Sequence, residues 1–77
     1  MENLNDDVGL EDALAAIPVG MIWRLGTYSK GRFWFLLGWP TAKGNFSAVL
    51  GKYTAIEAAP NLAVQAALIR MAKREDH

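Results

Sequence analysis

Hydrophobic and polar positions along the chain change their spacing from helix to strand and back. Leu10, Leu14 and Ile17 recur at i, i+4 and i+7, one face of a helix. Asp6 or Asp7 can cap its start by accepting a bond from a free backbone N–H, and Pro18 ends it, because the residue before a proline is pushed out of the helical region. The pattern predicts a helix over 6–17 behind a loose polar arm at 1–5. Residues 19–28, "VGMIWRLGTY", and 32–39, "RFWFLLGW", then read as strands. Between them "SKG" suits a tight hairpin, a type I turn with a glycine bulge in which Gly31 takes the left-handed conformation. "PTAKGN" at 40–45 is dense in turn residues, and "FSAVLGKYT" makes a third strand, closing a β-meander over 19–54. The chain ends in a helix over 59–75, with Pro60 placed at a first helical position. The order α-β-β-β-α predicts a single small α+β domain, a three-stranded antiparallel sheet packed with two helices.

The second strand poses a question. A strand with one dry and one wet face alternates apolar with polar, and "RFWFLLGW" does not. Placing Tyr28 opposite Arg32 fixes the register. Met21, Trp23, Leu25 and Thr27 then share a dry face with Phe33, Phe35, Leu37 and Trp39, joined by Phe46, Ala48 and Leu50. The opposite face receives Ile22, Arg24, Gly26, Tyr28, Arg32, Trp34, Leu36 and Gly38, with Ser47, Val49, Gly51 and Tyr53 from the third strand. It is mixed, with rings and arginines beside three glycines. The expected core is Trp23, Phe35, Leu37, Leu50, Leu14 and Leu68.

The last helix is apolar on two sides. Pro60, Ala63, Val64, Ala67, Leu68 and Met71 form its main stripe, and Leu62, Ala66 and Ile69 a second one. Such a helix is either sunk between two layers or packed against another molecule. Composition favours the second: 52% of 77 residues are apolar, and a chain this short has little core to hide them in. The sequence thus predicts a homodimer in which Leu62, Ala66 and Ile69 form the partner interface.

Net charge is zero, yet unevenly laid out. Glu2, Asp6, Asp7, Glu11 and Asp12 precede residue 19 with no base among them, whereas residues 19–56 carry Arg24, Lys30, Arg32, Lys43 and Lys52 with no acid. Either an acidic first helix neutralises a basic sheet, or the sheet offers a basic surface to an acidic partner. The acidic N-terminus is unlike a secretory signal and no apolar run is long enough to span a bilayer, so no membrane association and a cytoplasmic setting are expected.

The terminal stretch "APNLAVQAALIRM" at 59–71, with Trp23 and Trp34 in the meander, resembles the phage ABA sandwich domain, a family of small bacteriophage and prophage proteins. Over 10–74 the pattern is similar to that family's N-terminal helix, tryptophan-bearing meander and terminal helix. Trp39 and "GWPTAKGN" depart from it. The resemblance implies a phage setting within a host cell, and "sandwich" allows one helix on each face of the sheet. It implies no activity, cofactor or catalytic residue.

Little in the chain suits catalysis. It has no cysteine, its one histidine is His77, and its N-terminal carboxylates are explained by solvation, so no enzyme, metal or cofactor is expected. The chemistry-bearing group is the mixed face. Tyr28, Trp34 and Tyr53 with Arg24 and Arg32 could stack bases and track phosphates of a single-stranded nucleic acid, or pair with one another as ordinary cross-strand neighbours. The sequence ranks protein interaction first, by analogy with the many small phage proteins that inhibit host proteins such as defence components. Single-strand nucleic-acid binding ranks second.

Overall fold

In the computed structural model, which describes residues 4–40 and 50–75, the chain runs α1 (Leu10–Ala15), β1 (Ile22–Tyr28), β2 (Arg32–Trp39), β3 (Leu50–Glu57) and α2 (Pro60–Glu75). The strands form one antiparallel sheet in the order β1-β2-β3, so β2 is central and the α+β class is as expected.

The N-terminal helix is shorter than its periodicity suggested. Neither Asp6 nor Asp7 caps it; Gly9 is the N-cap and offers no side chain. Residues 5–8 form a turn instead, in which the Asp7 N–H donates to Asn5 Oδ1 (2.9 Å) and the Val8 N–H to the Asn5 carbonyl (3.2 Å). Side-chain amides of α2 hold this turn. Asn61 Nδ2 donates to the carbonyls of Val8 (2.8 Å) and Asp6 (3.4 Å). Gln65 accepts from the Asn5 N–H and donates to the Asn5 carbonyl, both at 2.9 Å, as a neighbouring strand would. The arm is therefore not loose at Leu4 and Asn5, and Leu4 packs against the core.

Residues 19–21 belong to a turn, not to the first strand. The Met21 N–H donates to the Pro18 carbonyl (3.2 Å), and Gly20 takes the positive φ of 96° that this tight turn requires. The hairpin register is as the sequence predicts, with Tyr28 opposite Arg32, Leu25 opposite Phe35 and Trp23 opposite Leu37. The loop itself differs from a type I turn: Lys30 (φ 63°) is left-handed as well as Gly31 (φ 73°).

The third strand runs four residues later at its start and three at its end than expected, and residues 46–49 lie outside the described ones. Its phase also differs. Leu37 pairs with Tyr53 but Trp39 with Leu50, so residues 51–52 stand against the single Gly38 in a bulge. Phase then places Tyr53, Ala55 and Glu57 opposite Leu37, Phe35 and Phe33. Tyr53 is accordingly on the helix side of the sheet, not on the mixed face.

Both helices lie on that side. α2 packs on β2 and β3, and α1 packs on α2. Phe35, Leu37 and Val64 are the largest fully buried side chains; Ala13, Met21, Ala55, Ala63, Ala66, Ala67 and Met71 complete the core, with Leu14 and Leu68 partly buried against it. Of the expected core residues Trp23 departs: β1 is an edge strand, α2 packs chiefly on β2 and β3, and Trp23 is 42% exposed while stacking on Phe35 with ring centroids 5.8 Å apart. The side chain of Leu50 lies outside the described residues.

Phe35→Ala would remove a ring that is 1% exposed and is expected to cost about 3–5 kcal/mol, abolishing the cooperative melt of a chain this small. A melt near the parental midpoint by circular dichroism would show that Phe35 is not central. Gln65→Ala should cost about 0.5–1.5 kcal/mol and speed hydrogen exchange at Asn5 while β2 keeps its protection.

Candidate functional site

The face of the sheet away from the helices is open among the described residues. It carries Ile22, Arg24, Gly26 and Tyr28 from β1, Arg32, Trp34, Leu36 and Gly38 from β2, and Thr54 and Ile56 from β3. Arg24, Tyr28, Arg32, Thr54 and Ile56 are exposed; Ile22, Trp34 and Leu36 are half-buried. That is why "RFWFLLGW" lacks alternation: one side of β2 is covered by α2, and the other is a largely apolar surface with no helix over it among the described residues.

Trp34 organises this face. It pairs with Gly26, and a Cβ built on Gly26 would fall 2.4 Å from Trp34 Cε2 and Cζ2 and 2.7 Å from Nε1. The indole therefore lies directly over the glycine, filling the place of the missing side chain and half-burying itself against β1. The pairing was legible from the hairpin register; a ring facing a cross-strand glycine is the signal.

Beside the indole runs an open groove of about 520 Å³ lined by Trp34, Leu36, Thr54, Ile56 and Arg70. Arg70 comes from α2 and reaches around the edge of the sheet to donate to the Thr54 carbonyl. A second depression of about 420 Å³ lies at the hairpin end, between Tyr28, Lys30, Arg32 and Ile56. The face thus joins an aliphatic part, made of Leu36 and Ile56 with Ile22, to a cationic part made of Arg24, Lys30 and Arg32. None of its described strand residues is acidic.

The acidic segment is elsewhere. Asp6, Asp7, Glu11 and Asp12 are exposed on and before α1, which packs on α2.

Of the five residues expected on a mixed face, the structure brings Arg24, Tyr28, Arg32 and Trp34 together and places Tyr53 on the other side. The expected dimer stripe fares differently. Ala66 is fully buried inside its own chain, on a helix that packs against both the sheet and α1; only Leu62 and Ile69 are half-buried. Arg70, at the rim of the groove, was not among the predicted residues, since nothing in the helix periodicity indicates that its side chain crosses to the sheet edge.

Among the described residues no three histidine, cysteine or carboxylate side chains converge as a metal site would require, and no helix is long and apolar enough to cross a membrane. In comparisons with known proteins the chain matches no family model, no curated protein and no solved structure.

Gly26→Ala must lift the Trp34 ring off β1. We expect a cost of about 1–3 kcal/mol in thermal unfolding and a shifted indole N–H resonance for Trp34. An unchanged melt and an unchanged resonance would show that the ring does not rest there.

Proposed function

We propose that this protein is a small non-enzymatic interaction module that docks a protein partner on the open face of its sheet, in the phage setting that its sequence resemblance implies. The observation that carries this reading is the face that no described element covers, where half-exposed aliphatic and aromatic side chains adjoin Arg24 and Arg32. Water-facing apolar surface of this kind is what docking interfaces cover. Its cations call for a partner segment in which acidic residues flank apolar ones.

A specific observation also favours a second reading, single-stranded nucleic acid: the Trp34 indole spread over Gly26 offers its outer side to a stacking base. Two features put that reading second. Tyr53 is on the opposite face, which leaves Tyr28 and Trp34 as the described rings, and aliphatic Ile22, Leu36 and Ile56 suit side chains better than bases.

Selection from a random peptide library against the purified chain tests the proposal. The enriched peptides should carry Asp or Glu beside apolar residues, and Arg24→Glu with Arg32→Glu should weaken the best of them at least tenfold. The same chain titrated with a fluorescent single-stranded oligonucleotide at low salt should give no saturable change in anisotropy. Saturable binding that falls steeply with salt and is lost in Trp34→Ala would place nucleic acid first.

A further inference from the structure

The sheet has two edges, and they are finished differently. On β3 the bulge at 51–52 breaks the ladder and Arg70 occupies the Thr54 carbonyl, two devices that keep an edge from pairing. On β1 there is neither proline nor bulge: all seven residues from Ile22 to Tyr28 pair regularly with β2. Among the described residues no other segment forms a backbone hydrogen bond with the outer side of β1. The helix-side surface next to this edge is also under-covered, because α2 packs on β2 and β3; Trp23 is 42% exposed, and Thr27 is exposed with it.

We propose that two copies of the chain pair through β1, antiparallel about a two-fold axis at Leu25, to form one continuous six-stranded sheet. This association uses the edge and not the open face, so it stands apart from the docking proposed above and would set two such faces side by side.

Strand length and charge select the register. Leu25 is the midpoint of Ile22–Tyr28, so only an axis there pairs all seven residues with seven. An axis at Arg24 would set two arginines directly opposite, a destabilising arrangement. With the axis at Leu25, Trp23 faces Thr27 of the second copy, and two exposed side chains cover one another. Arg24 faces Gly26 of the second copy, so the side chain opposite it is a single hydrogen. The edge is thus complementary to itself, which is what a two-fold interface requires.

The chain contains no cysteine, so single cysteines report the pairing directly. The unmodified chain should give by light scattering twice the 8.5 kDa of one chain at about 100 μM, a working concentration for interfaces of modest size. Leu25→Cys should cross-link to itself under mild oxidation. Thr27→Cys alone should not, because its own copy lies four residues away along the partner strand, roughly 13 Å and beyond disulfide reach. Mixed with Trp23→Cys, it should cross-link. Because Leu25 is half-buried and its variant could fold poorly, hydrogen exchange of the unmodified chain supplies a second reading: protection of the β1 amides should rise with protein concentration. A monomeric mass, self-cross-linking of Thr27→Cys, or concentration-dependent protection confined to α2 would each overturn the proposal.

Discussion

The fold depends on one helix packing against two neighbours. α2 contacts both the sheet and α1, and many of the side chains buried in the core around it are small. Ala63, Ala66 and Ala67 of α2 are fully buried, with Ala55 of β3 and Ala13 of α1 buried beside them. Alanine adds little volume and suits a helix, which allows close packing in a chain of 77 residues. Little bulk then remains for the centre. Phe35, Leu37 and Val64 supply the large side chains that exclude water completely, and the stability of the domain is concentrated in them.

That constraint separates what the sequence made legible from what it did not. The β1–β2 register followed from the residues because a three-residue loop leaves few ways to align two strands, and Tyr28 indeed faces Arg32. The third strand defeated the same arithmetic, since a bulge shifts phase without marking itself in the hydrophobic pattern; Tyr53 changed face as a result. The two stripes of α2 were visible, but periodicity does not distinguish a neighbour in the same chain from a second molecule, and Ala66 is buried within its own chain. Asn61 and Gln65 read as interruptions of those stripes. They are the groups that hold residues 5–8, an arrangement that depends on partners more than fifty residues away. The aspartates lost the cap for the same reason, because the turn they occupy is fixed from outside.

Charge and shape are segregated together. The carboxylates of Asp6, Asp7, Glu11 and Asp12 are exposed on the helix side, and Arg24 and Arg32 on the open side, with a thin apolar layer between. The exposed arginines of the open face steer an approaching acidic surface before contact, which is an effect on association rate more than on affinity.

The fastening of Asn5 by Gln65 has a consequence for how the chain reaches this state. α2 follows in chain order everything it fastens: the inner side of the sheet, α1 and the turn at residues 5–8. Until residues 60–75 have been synthesised, Phe35 and Leu37 have no layer above them and Asn5 has no amide to pair with. An emerging chain therefore holds a hairpin without a core, and its decisive contacts span some sixty residues, which makes folding a late and concerted event with a costly closure. During that interval the apolar strands are open to the wrong neighbours, so the vulnerable moment in the life of this domain precedes its last helix.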